Sequence, residues 1–143
     1  MIVHEHTLTA RVDPSVVWDR WTQVEHWPVD DPFIVRAKLN GPIAKGAIGW
    51  VKAAKGPRTV FRFAEVDRMA RRFVVQSALF LATITKEHEM TRVEETEDPH
   101  DWQITQRLIF SGLLARAWNR YIGKDMAAQL PATLDRVVGA ASL

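Results

Sequence analysis

The chain has 143 residues, enough for one domain that buries roughly two-thirds of the surface its unfolded form would expose. It has no cysteine, which excludes a disulfide framework, a thiolate zinc site and a cysteine nucleophile. Nineteen Lys and Arg against seventeen Asp and Glu leave a net charge of +2, and the basic residues are scattered, a weak footprint for nucleic acid.

The opening segment MIVHEHTLTARVD carries an acid and two histidines where a secretory signal needs an unbroken apolar stretch. No apolar run reaches the roughly 20 residues that span a bilayer. The expectation is a cytoplasmic protein with no membrane insertion and no nucleic-acid partner.

Alternation over the first ten residues or so puts His4, His6, Leu8, Ala10 and Val12 on one face of a half-buried strand. Asp13-Pro14 then offers a capping oxygen and a residue suited to a first helical turn, so a helix is predicted from Pro14 towards Val24. Val17, Trp18, Trp21 and Val24 form its apolar stripe. HWPVDDPF ends it, because Pro28 and Pro32 bias the residues before them away from helix.

From Ile34 to Gly112 the punctuation is that of an antiparallel sheet. The strand-like runs are FIVRAKL, AIGWVKA, TVFRFAEV, RFVVQS, ATITKEHEMTRV and DWQITQRLIF. Most separators carry the Gly, Pro, Asn and Asp that turns demand. The exception is ALFL, between the fourth and fifth runs, which has no turn former. After Gly112 the period becomes helical, with Leu114, Trp118, Ile122, Met126, Leu130, Leu134 and Val137 or Val138 three or four apart, and a kink is predicted at Pro131.

Several motifs fail. GPIAKGAIG has the glycine spacing of a phosphate-binding loop, but Ala47-Ile48 stands where Lys-Ser/Thr is required. No G-x-S-x-G elbow and no H-E-x-x-H occurs, so a serine hydrolase is not expected. His4 and His6 project together and, with His88, would supply three imidazoles for a metal. The plainer reading is partly exposed or hydrogen-bonded histidines, and neither a metal nor a cofactor is assigned.

A strand, short helices, a meander of about six strands and one long C-terminal helix form an order that resembles the helix-grip fold of the START-related superfamily. That superfamily includes polyketide cyclases, lipid-transfer domains and the birch-pollen allergen family. ARVDPSVVWDRWTQVEHWP resembles the opening of small bacterial members, and GPRTVFRFAEVDRMARRF their paired strands. LFLATITKEHEM resembles their Leu-Pro-Gly…Phe-x-His-x-Leu strand, and ITQRLIFSGLLARAWNRYIGKDMAAQLPATL their last strand, Ser-Gly break and grip helix. The chain departs from that pattern at Asp30, where tryptophan is common, and at Leu79-Phe80-Leu81, which replaces the Leu-Pro-Gly turn. Lys86 stands in place of phenylalanine and Gln106 in place of histidine.

The resemblance implies a single α+β domain over 1–143, a curved antiparallel sheet of about seven strands wrapped around the long helix, with two short helices between the first two strands. It also implies a cavity. Parity then assigns Phe61 and Phe63, Phe73 and Val75, and Ile84, Lys86, His88 and Met90 to its lining, with Ile104, Gln106, Leu108 and Phe110 of the last strand. Ile122, Met126 and Leu130 of the helix, with Leu134 beyond them, complete it. A mostly apolar wall with a few convergent polar groups suits a small-molecule site.

Lys86 has three fates open: its ammonium reaches the rim, pairs with an acid such as Glu65, or meets a ligand carboxylate, phenolate or enolate. His88 is either hydrogen-bonded to Gln106 across the adjacent strand or free to polarise a carbonyl or move a proton. Trp18, Trp21 and Trp118 suit core packing, and Trp27 and Trp50 a rim. The first functional expectation is binding of a small apolar or amphipathic ligand: a lipid, an aromatic or a polyketide-like compound. The second is a cyclase- or dehydratase-like enzyme with Lys86, His88 and Gln106 as candidate catalytic residues. The third is a protein-interaction role like that of the related chaperone-activating domains, which calls for an exposed apolar patch.

Overall fold

Alternating sequence becomes a seven-stranded antiparallel sheet in the computed structural model, which describes residues 1–143. The strands are β1 (Ile2–Arg11), β2 (Ile34–Asn40), β3 (Ile48–Ala53), β4 (Thr59–Asp67), β5 (Arg72–Leu79), β6 (Ala82–Arg92) and β7 (Asp101–Ser111). Their spatial order is β1-β7-β6-β5-β4-β3-β2, so β2 to β7 run as a meander and β1 closes onto β7.

Between β1 and β2 lie α1 (Pro14–Thr22), a single 3₁₀ turn (Val24–His26) and α2 (Trp27–Asp30). Asp13 caps α1, its carboxylate accepting the Ser15 N–H at 2.9 Å. The predicted stop at Trp27-Pro28 is instead a start. Pro28 sits in the first turn of α2, where a missing N–H leaves no helical bond unmade.

The C-terminal helix is built in pieces: α3 (Ala115–Trp118), a π turn (Asn119–Gly123), α4 (Lys124–Ala128) and α5 (Leu130–Ala141). The kink predicted at Pro131 is present as a break at Gln129, with Pro131 in the first turn of α5. The π turn was not foreseen. Within it His4 Nε2 meets Asn119 Oδ1 at 2.6 Å, tying the helix to β1. Gly123 permits the approach, since a Cβ there would stand 2.7 Å from the Phe110 ring. At its far end the helix is pinned to the start of α1, where Asp13 N–H donates to the Ala141 carbonyl at 2.9 Å.

The unmarked boundary at ALFL is a hairpin turn over Phe80-Leu81, with Leu79 paired to Ala82. Leu81 adopts φ +53, which a glycine would take without strain. A register shift between Phe63 and Glu65 turns Glu65 to the outside, where it pairs with Arg72. The Lys86–Glu65 pairing open in the sequence is thereby removed.

The largest core cluster fills one end of the space under the sheet, with Phe61, Phe63, Phe73, Met90 and Ile104 packed against Val17, Trp21 and Leu134. A smaller one joins Ile84, Leu108 and Phe110 to Phe33, Ala115 and Ile122. The cavity lies between them.

Candidate functional site

Lys86 and His88 are successive inward residues of β6. Register places Lys86 between Val75 of β5 and Leu108 of β7, and His88 between Phe73 and Gln106. On the same face His6 of β1 lies opposite Gln106, so one row crosses four strands as His6, Gln106, His88 and Phe73.

Two adjoining chambers lie in front of these residues. The first, about 60 Å³, is lined by Trp21, Asp31, Lys86, His88, Gln106 and Leu130, among others. The second, about 40 Å³, is more apolar and includes Phe33, Ala53, Phe61, Ile84 and Ile122. Trp27, Ile34, Val75, Lys86 and Met126 belong to both. Each exceeds the roughly 10–15 Å³ that admits a water, and each falls below the cavity of about 150 Å³ that holds a benzene in an engineered protein.

Of the expected lining, Phe61, Val75, Ile84, Lys86, His88, Gln106, Leu108, Ile122, Met126 and Leu130 border one chamber or both. Phe63, Phe73, Met90, Ile104, Phe110 and Leu134 do not. They point inward as parity requires, but are packed solid in the two core clusters. Parity separates inside from outside and carries no information about which inward side chains meet another and which meet a void.

His88 makes no hydrogen bond to Gln106. Its Nδ1 is buried without a partner, the ring lies flat on Phe73 at 4.4 Å between centroids, and the Trp21 ring meets it edge-on at 5.1 Å. Burial, followed by the positive charge of Lys86, pushes the imidazole down to about 3, so it is neutral at physiological pH.

Burial likewise lowers the Lys86 ammonium from its usual value, against the opposing pull of Asp31. No carboxylate forms an ion pair with it. The first wall also holds Arg20 and Asp30: the guanidinium grips the carboxylate through Nε at 3.0 Å and Nη2 at 2.5 Å, and Asp30 is 6% exposed. Asp31 Oδ1 accepts the Phe33 N–H at 2.9 Å.

The sequence reading marked Asp30 as a departure from the helix-grip pattern and did not find Arg20, Asp31 or Ile34. The available signal was the acid pair Asp30-Asp31 set between Pro28 and Pro32, a charged stretch in a segment too short to lie far from the sheet.

Trp21 is both core and wall, and Trp27 anchors the wall through Nε1–H donating to the Trp21 carbonyl at 3.0 Å. Trp18 packs edge-on against Phe73, while Trp50 lies under Arg58 at 3.7 Å. Trp118 donates from Nε1 to the Phe80 carbonyl at 2.9 Å. Beside it Phe80 and Leu113 are 72% and 82% exposed, forming an apolar tip at the β5–β6 hairpin.

No family model and no curated protein matches the sequence. Solved structures do match. A hypothetical protein of Helicobacter pylori is similar over 98% of this chain and 88% of its own, with a TM-score of 0.79 at 14% identity. Norcoclaurine synthase of Thalictrum flavum, in complex with dopamine and hydroxybenzaldehyde, is similar over 96% of this chain and 84% of its own. Its TM-score is 0.69 at 14% identity. The fold is the helix-grip fold. A third helix-grip structure, the di-domain ARO/CYC protein BexL from the BE-7585A biosynthetic pathway, is similar over 93% of this chain. It is matched over 45% of its own length, with a TM-score of 0.68 at 16% identity. No helix in the present helix-grip structure is long and apolar enough to cross a membrane.

Proposed function

We propose that this protein binds a small, largely apolar molecule in the cavity between the sheet and the C-terminal helix. The observation that carries this reading is the Lys86 amine, held inside the fold against two chambers with no carboxylate paired to it. A lysine left this way costs stability, which a well-packed apolar residue would not. Its retention is understandable where a ligand uses it.

Each chamber is smaller than a benzene-holding cavity, so displacement of Met126, which borders both, is what admits a ligand of one aromatic ring or a short chain, and a long acyl chain is disfavoured. The similar helix-grip structures include one in complex with two single-ring compounds. Native mass spectrometry of the purified protein, with identification of any retained compound, tests the reading. A thermal-shift series with benzaldehyde, benzyl alcohol and decanoic acid accompanies it. Stabilisation by the single-ring compounds, reduced in Lys86→Met for those bearing a carbonyl, is the expected result. No shift with any of them and no retained compound would overturn it.

A second reading, proton chemistry on a polyketone-like substrate, is favoured by the convergence of Lys86, His88 and Gln106 on one chamber. Turnover of a model polyketone, lost in His88→Leu, is its test.

A further inference from the structure

We infer that the Lys86 amine is a nucleophile that captures the carbonyl group of a small aldehyde or ketone as an imine inside the first chamber. This rests on the binding reading above and names the chemistry of the ligand.

Three features of the chamber lead to a neutral carbonyl compound over an anion. Both arginines at the chamber are occupied, Arg20 on both sides of its fork by Asp30 and Arg107 by Glu5 and Glu89. The carboxylate of Asp31 bears on Lys86 and would meet an incoming anion with like charge. Apart from Gln106 and Thr133, whose hydroxyl is spent on the Gln129 carbonyl, the remaining wall, including Trp21, Trp27, Ile34, Leu108 and Leu130, is apolar and offers little that replaces an anion's hydration. A desolvated lysine in such surroundings holds its lone pair free, as imine-forming lysines in other enzymes do.

The step balances without an oxidant or reductant. The Nζ lone pair attacks the carbonyl carbon, the C–N bond forms as the C=O π pair moves to oxygen, and a proton passes from nitrogen to that oxygen. The resulting carbinolamine loses its hydroxyl together with the remaining N–H proton as water, the C–O bond breaking as the nitrogen lone pair forms C=N. Protonation of the imine gives an iminium whose positive charge faces Asp31. His88, one inward position along β6, stays neutral through the step and adds no charge beside the forming iminium.

The test uses the full chain with benzaldehyde and sodium cyanoborohydride near pH 7. Intact mass spectrometry and peptide mapping then read where the benzyl group sits among the six lysines. The expected result is a single adduct at Lys86 with the exposed lysines left unlabelled, because an amine whose pKa is lowered by burial holds a larger unprotonated fraction. Lys86→Arg, charged and not nucleophilic, should abolish it, with circular dichroism confirming the fold. Labelling spread evenly over the exposed lysines, or sparing Lys86, would overturn the proposal even if Lys86→Arg fails to fold, since the mapping is done on the unaltered chain. Benzyl alcohol separates the two readings. If it stabilises the protein while benzaldehyde leaves no adduct at Lys86, the imine is wrong and the cavity reading stands; if neither stabilises nor labels, both fall.

Discussion

His88 lies flat on Phe73, with ring centroids 4.4 Å apart and planes 12° from parallel, and its Nδ1 has no hydrogen-bond partner. Such a stack holds a neutral imidazole well and an imidazolium poorly, because charging the ring would bury an unpaired cation beside Lys86.

Acid sensitivity follows. The folded value of His88, about 3, lies below the unfolded value of 6.5. The unfolded chain therefore binds the extra proton, and stability is complete above pH 6.5 and falls as pH drops towards 3. The window corresponds to at most about 5 kcal/mol. Urea unfolding at intervals from pH 7.5 to 4 should show a declining midpoint, and His88→Phe should flatten that decline. An equally steep decline in the variant would assign the effect to other groups.

Lys86 acts with the same sign in a higher window. Its folded value is lowered, so the unfolded chain gains a proton on this group that the folded one does not hold, and the penalty fades as pH rises towards 10.5. Lys86→Met keeps the length of the stem and removes the amine. It should stabilise the protein by about 1–2 kcal/mol near neutral pH, with the gain shrinking in alkaline solution. Guanidinium melts at pH 7 and pH 10 measure both quantities.

Arg20 and Asp30 form a two-bond pair with the acid side almost wholly buried. Removing only the cation in Arg20→Ala strands a buried carboxylate and should cost about 3–5 kcal/mol, whereas Arg20→Leu with Asp30→Leu together should cost less than either single change. A double-mutant cycle by chemical denaturation decides this, and simple additivity would show the pair to be uncoupled.

Gly123 sits where the C-terminal helix crosses Phe110. A Cβ there would come within 2.5 Å of Asn119 Oδ1, which is bonded to His4, and 2.7 Å of the ring of Phe110, which is fully buried. Gly123→Ala should therefore destabilise by about 1–3 kcal/mol, although alanine is the better helix former. Thermal unfolding of the variant beside Gly139→Ala, whose Cβ meets nothing within 4 Å, separates crowding from helix propensity.

The strands were legible because Gly, Pro, Asn and Asp mark most of their ends, and each expected run lies within a residue or two of an observed strand. The Phe80-Leu81 turn was not, since Leu81 adopts a left-handed conformation that its side chain disfavours and only tertiary contacts hold it. Its carbonyl accepts the Leu114 N–H at 3.0 Å. Glu65 was misplaced because one bulge reverses parity for every residue after it. Lys86 and His88 could be found from alternation, for polar residues on an inward face stand out. Alternation could not place Asp31, which lies in a short irregular stretch where no period says which way a side chain points and only the acid pair between two prolines marks it. The π turn at Asn119–Gly123 leaves the helical spacing of apolar residues nearly intact and so leaves no trace in the pattern.

Met126 borders both chambers. An unbranched thioether with three rotatable bonds swings among its conformers in about nanoseconds, with no need for the backbone to yield. The interior volume is thus adjustable by one torsional motion, and a β-branched valine at position 126 would freeze it. In the proposed binding role, the range of guest sizes is then set by a single side chain's freedom to turn.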